Sequence, residues 1–189
     1  MSIIYRRKSF MYFNNPGKEH TEKTIELAIK IAKERGIKHI VVASTKGSTA
    51  RLLKDSKLDV TVITHVYGFK EAGKQEMSEK TREELEGYGF KIYAGTHVLS
   101  GAERAISNKF GGISPIEIIA YSLRMLGQGV KVGVEISTMA LDAGLIPYGE
   151  DVIAIAGSKE GADTAVIIKP AHGSNIFDTK IKEIICKPL

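Results

Sequence analysis

Along the chain, short β-branched runs alternate with stretches whose apolar residues recur every three or four positions. Residues 40–43, Ile-Val-Val-Ala, are too few for a helix, and their composition predicts a strand buried on both faces. Similar runs predict strands at 10–13, 60–64, 90–93, 152–156, 165–169 and 180–186. The last two of these are expected to lie antiparallel at a sheet edge. Between the runs, Ile25, Ala28, Ile29 and Ala32 mark one face of a helix capped by Thr21 and stopped by Gly36. Further helices are predicted at 78–86, ending at Gly87, from Pro115 with Ile116, Ile119, Ala120, Leu123 and Leu126 on one face, and at 130–143, ending at Gly144. Residues 95–104 are polar and bracketed by glycines, and no element is predicted there. Strands alternating with helices favour a three-layer α/β/α fold with a mostly parallel sheet and right-handed crossovers. No repeat or linker divides residues 1–189, so one domain is expected.

Two strand ends carry the candidate chemistry. After residues 40–43 come Ser44, Thr45, Lys46, Gly47, Ser48 and Thr49, followed by the helix formers Ala50, Leu52 and Leu53. A strand, a tight hydroxyl-rich loop and a helix start gather backbone N–H groups and the positive end of a helix dipole, which suits a phosphate or carboxylate. The loop matches neither the Gly-x-x-x-x-Gly-Lys-Ser/Thr nor the Gly-x-Gly-x-x-Gly pattern. The alternative is structural: Ser48 or Thr49 caps the helix and Gly47 supplies a turn. The same order returns after residues 152–156, where Gly157, Ser158, Gly161, Asp163 and Thr164 form a second polar loop. Both loops then stand over the carboxyl edge of one parallel sheet, the place where open α/β sheets bind ligands. His65 and His97 follow predicted strands at that edge and are candidates to approach the ligand.

Along the helix at 130–143, Lys131, Glu135 and Asp142 fall on one face, either as a solvated stripe or as the wall of a ligand cleft. His97, Ser100 and Glu103 lie close in sequence, but no Gly-x-Ser-x-Gly elbow supports a hydrolytic triad. No His-x-x-x-His or Cys-x-x-Cys spacing points to a metal site.

Composition narrows the field further. A length of 189 residues is enough for a sizeable core, and the single cysteine, Cys186, leaves no internal disulfide and suggests a reducing compartment. Cys186 lies in an apolar run and reads as packed rather than reactive. Without a run long enough to span a membrane, and without a signal-peptide core, a cytoplasmic protein is expected. The net charge of +5 suits a phosphorylated ligand; the bases are scattered among acids and aromatics are only 7%, which argues against nucleic acid. Few glutamines beside plentiful Lys, Glu and Ile hint at a thermophilic source.

The run Ser44-Thr45-Lys46-Gly47-Ser48-Thr49-Ala50-Arg51-Leu52-Leu53 resembles the loop that holds a sugar-phosphate effector in the carboxy-terminal domain of pyruvate kinase. The likeness extends over residues 20–65 and returns, more weakly, at 145–166. Ser48 stands where a basic residue often follows the glycine, and Ser56-Lys57 replaces an Arg-Pro. The whole chain resembles small stand-alone archaeal proteins on that effector-domain fold. By that resemblance residues 44–49 are a phosphate clamp, the second loop closes over the ligand, and the ligand is flavin mononucleotide (FMN). Pyruvate kinase carries its chemistry on a separate barrel, for which 189 residues leave no room, so no pyruvate kinase activity is expected. Two functions remain: a binding or regulatory module for a phosphorylated small molecule, or a small flavin-dependent oxidoreductase or sugar-phosphate enzyme using His65, His97 or Glu135. The oligomeric state stays open.

Overall fold

The computed structural model describes residues 10–189, and its centre is one seven-stranded sheet. The strands are β1 (Met11–Phe13), β2 (His39–Ala43), β3 (Asp59–Thr64), β4 (Lys91–Ala94), β5 (Val152–Ala156), β6 (Thr164–Lys169) and β7 (Lys180–Pro188), in the order β1-β7-β6-β5-β2-β3-β4. β2 pairs in parallel with β3 and β5, β3 with β4, and β1 with β7. β6 alone runs against its neighbours. A short loop joins β5 to β6, so these two can only form an antiparallel hairpin. The last two strands are therefore antiparallel to each other as the pattern predicts, but they do not form the edge. The three-residue β1 adds in parallel to β7 and takes the edge position itself.

The helices are α1 (Thr21–Arg35), α2 (Ser48–Arg51), α3 (Glu79–Gly87), α4 (Ala102–Phe110), α5 (Pro115–Arg124) and α6 (Gln128–Asp142). On one face of the sheet, Ile25, Ala28 and Ala32 of α1 and Leu85 of α3 pack against Ile40, Val42, Ile153 and Ile155. On the other, Val130, Val134 and Met139 of α6 pack against Val41, Ala154, Val166 and Ile168. Alternate side chains of each central strand thus feed two cores, and the result is the three-layer α/β/α arrangement. Each fully buried Ile or Val contributes about 1.5–3 kcal/mol.

α6 lies unusually deep. A Cβ on Gly133 would stand 3.3 Å from Val166 Cγ2, and one on Gly129 would collide with the Thr164 side chain, so two glycines let the helix settle onto β5 and β6. α1 ends where Gly36 takes a left-handed conformation at φ 67° and its N–H bonds back to Ala32 O. α2 is shorter than its sequence suggests, because after Arg51 the chain continues as turns to Ser56 rather than as helix. α4 has no buried residue: Ala102, Ile106 and Phe110 recur every four positions along it, but Ile106 and Phe110 stay exposed. No helix among the described residues is long and apolar enough to cross a membrane.

Candidate functional site

The loop between β2 and α2 is anchored on three sides. Ser44 N–H donates to Ile63 O at 3.0 Å and Thr64 Oγ1 to Thr45 O at 2.9 Å, which tie it to β3. Ala50 N–H donates to Ser44 Oγ at 3.3 Å, while Gly47 is the residue preceding α2 and offers no side chain. Capping by Ser48 or Thr49 is thus not what shapes the loop; the buried Ser44 reaches forward instead. Gly47 has φ 88°, and a Cβ there would lie 2.5 Å from Thr81 Cγ2 and 3.2 Å from Leu85 Cδ1. The close approach that demands glycine is to α3, below the loop, and not to the cleft above it. Arg51 locks the same junction with a two-pronged contact to Glu84, Nε to Oε1 at 2.8 Å and Nη2 to Oε2 at 2.7 Å. That contact, with the Tyr88 hydroxyl, holds the Glu84 carboxyl down at about 2.

Above the carboxyl edge lies a cleft of about 850 Å³. Ser44, Thr45, Lys46, Ser48 and Thr49 line one side and Gly157, Ser158 and Gly161 the other. His65 closes one end, and Lys18 and Thr21, at the start of α1, complete the wall. The sheet order explains the meeting, since β2 and β5 are neighbours and their loops leave from the same edge. Lys46 and Lys159 have no ion-pair partner among the described residues, whereas Lys18 stands 3.9 Å from Glu160. Asp163 and Thr164 do not reach the cleft surface. Both are 1% exposed, and Asp163 builds the loop from beneath by accepting from Ser158 N–H at 3.3 Å and from Thr164 Oγ1 at 2.9 Å. Ala162 N–H donates to Thr21 Oγ1 at 3.0 Å, fastening the second loop to α1. Thr21 is the first residue of α1 and not its cap; its hydroxyl bridges two segments of the cleft wall, donating to Lys18 O at 2.6 Å.

A smaller compartment of about 210 Å³ adjoins this cleft, with Ala43, Ser44, Thr45, His65, Gln128 and Val132 common to both. His97 lines it, 5.6 Å from His65 between ring centres, with the Phe69 ring 3.9 Å from His65 and 5.4 Å from His97. Both histidines therefore stand at the carboxyl edge of the sheet, one shared by the two spaces and one in the inner compartment. His65 Nδ1 is 2.6 Å from Glu76 Oε2, and Lys70 Nζ is 2.9 Å from Glu76 Oε1. Burial pushes the His97 imidazole below its ordinary value, favouring the neutral ring, with Glu135 opposing the shift.

Lys131 and Glu135 form the floor of this compartment. Their side chains are each 5% exposed, Nζ stands 2.6 Å from Glu135 Oε2, and Leu99 N–H donates to Glu135 Oε1 at 3.2 Å. Burial lowers the Lys131 pKa, Glu135 opposes the shift, and Arg124 and Arg104 add to it. Of the two readings of this stripe, the cleft wall holds for Lys131 and Glu135. Asp142, two turns further on, faces His172 at 2.7 Å and has no part in either cavity. Arg104 and Arg124 also line the compartment and carry no recognisable spacing; Arg124, the last residue of α5, bonds Gln128, the first of α6, at 2.8 Å across the helix break at Gly127.

A family model described as "Pyruvate kinase, alpha/beta domain" matches residues 22–168. The chain belongs to that family. The matched span takes in both cleft loops and the Lys131–Glu135 pair, and it leaves out β1 and β7. Among solved structures, the chain is similar to a pyruvate kinase from Cryptosporidium parvum, at 19% identity and a TM-score of 0.40, over 78% of this chain and 22% of that one. A second crystal structure of the Cryptosporidium parvum enzyme matches at 19% identity and 0.37, over 72% and 20%. A third, in complex with ADP, matches at 19% and 0.40, over 78% and 22%. The chain spans about a fifth of the length of the enzymes it matches.

Proposed function

We propose that this member of the pyruvate kinase alpha/beta-domain family binds a phosphorylated small molecule, FMN being the named candidate, in the larger cleft. The observation that carries the reading is the convergence of the 44–49 loop, the 157–161 loop and the start of α1 on one 850 Å³ space, with two unpaired lysines at its wall. That volume lies within the range of about 300–1,000 Å³ usual for small-molecule sites. The phosphate takes the hydroxyls of Thr45, Ser48 and Thr49 and the cations Lys46 and Lys159. Leu52, Val132 and Ala43 provide an apolar wall for a ring. The donor set and the wall together fit a flavin nucleotide, whose chemistry when bound would be redox.

The test is calorimetric affinity for FMN against riboflavin, in wild type, Thr49→Ala and Lys46→Ala. Riboflavin lacks the phosphate. A charge-assisted hydrogen bond contributes about 1.5–3 kcal/mol, so each substitution weakens FMN binding roughly tenfold to a hundredfold and leaves riboflavin little changed. Equal affinity of wild type for the two ligands refutes the phosphate site. A catalytic reading, a small flavin-dependent oxidoreductase or sugar-phosphate enzyme, draws on the His65–Glu76 pair beside the cleft. Bleaching of bound flavin by a nicotinamide donor separates it from a binding module.

A further inference from the structure

The inner compartment has more positive charge than its own pairing needs. Lys131 is spent on Glu135, at 2.6 Å, and the second oxygen of that carboxylate is taken by Leu99 N–H. Arg104 and Arg124 also line the space, and neither forms an ion pair among the described residues: Arg124 bonds Gln128 through Nε and stacks 4.9 Å over Tyr121, and Arg104 makes no side-chain hydrogen bond and acts on Glu117, outside the compartment lining, only electrostatically. Both arginines act on Lys131 electrostatically, so three cations face one anion across a cavity of about 210 Å³. Arg124 also serves the fold, in the last turn of α5 and bonded to Gln128 at the start of α6, whereas Arg104, in the first turn of α4, gains nothing from that helix's dipole.

We propose that this compartment is a separate subsite for a small carboxylate, held by the planar forks of Arg104 and Arg124 beside His97. A planar guanidinium matches a carboxylate in two-pronged geometry, and the volume is below that of sites for drug-sized molecules. The common wall of Ala43, Ser44, Thr45, His65, Gln128 and Val132 places the small acid next to whatever fills the larger cleft. The protein is then a two-ligand site, with His65 and His97 between the two occupants. The subsite does not depend on the identity of the larger ligand.

Oxalate is the probe, followed through the NMR signals of the His97 ring at constant ionic strength against chloride. In wild type those signals move saturably with oxalate. In Arg104→Gln/Arg124→Gln the affinity falls roughly tenfold or more, and with Arg104→Lys it falls less, because the charge stays and the fork is lost. The amide spectrum of each variant establishes that it is folded. Lys46→Ala, whose side chain lines only the larger cleft, leaves the oxalate response unchanged while weakening FMN. An absent or non-saturating response, or one unaltered in the double variant, overturns the subsite. Loss of the response in Lys46→Ala also overturns it, by placing the probe in the larger cleft. A stronger arginine-dependent response to inorganic phosphate than to oxalate overturns the carboxylate assignment. Failure of FMN to bind, with the oxalate response intact, overturns only the larger-cleft reading.

Discussion

Lys131 and Glu135 offer the sharpest check on how the deep helix α6 is held. Both charges are out of water, at 5% side-chain exposure, and they satisfy each other at 2.6 Å. Lys131→Met removes one partner and leaves a buried carboxylate with Leu99 N–H as its remaining contact. Breaking a buried pair in this way costs about 3–5 kcal/mol, because the surviving charge loses its compensation but not its desolvation. In a domain of this size each kcal/mol lowers Tm by roughly 2–4 °C, so the single variant loses roughly 6–20 °C. Adding Glu135→Gln removes the second charge yet keeps an acceptor for Leu99 N–H. The double variant therefore recovers most of the loss and comes within about 1–2 kcal/mol of wild type.

The assay is urea unfolding of wild type, both single variants and the double, analysed as a thermodynamic cycle. Coupling of about 2 kcal/mol or more is expected. A Lys131→Met variant that loses less than about 1 kcal/mol refutes the reasoning, since it would mean that water reaches the carboxylate and the pair is not a buried one.

Gly47→Ala places a side chain at φ 88° and drives its Cβ against Thr81 and Leu85, so about 2–5 kcal/mol is lost from left-handed strain and overpacking together. A fall in urea midpoint of under about 0.5 kcal/mol equivalent would show that α3 moves aside freely. The depressed His97 pKa gives a pH dependence with a definite sign: the unfolded chain takes up a proton near 6.5 and the native ring resists it, so stability is whole above that pH and is lost as pH falls below it. His97→Asn should flatten this slope between pH 7 and 5; unchanged slopes in the two proteins would remove His97 as its source.

The strands were legible because a parallel strand covered on both faces must be apolar throughout, and Ile40, Val41 and Val42, all fully buried, leave no other reading. Cys186 was legible for the same reason: it is 1% exposed, and burial pushes its thiol up to about 11. The position of β1 was not, since three residues hold too little pattern to say which distant strand they join. Nor was α4, nine residues long and bracketed by Gly101 and Gly111, whose few apolar residues are too short a run to set apart from a loop. The hydroxyls of the two loops were visible in the chain, and the neighbouring positions of β2 and β5 bring most of them to one cleft. Their division of labour was hidden. Gly47 and Asp163 look like ligand contacts in a linear reading because they sit among hydroxyls, yet one packs on α3 and the other supports its loop from below.

The charged stripe of α6 states the limit in physical terms. Helical spacing says that Lys131, Glu135 and Asp142 share a side, but whether that side meets water depends on what the rest of the chain lays over it. The turn after β4 brings the Leu99 N–H and His97 over the first two residues, and the segment around His172 covers the third differently, so one stripe splits into a buried pair and a surface contact. The decision is made by residues thirty or more positions away on either side. The same turn leads into α4 and so carries Arg104 to the compartment, where no local spacing could have placed it. A covering segment that desolvates Lys131 and Glu135 therefore also delivers Arg104 to the same compartment. The proposed carboxylate subsite thus rests on the same long-range covering that buries the ion pair, and not on any local motif.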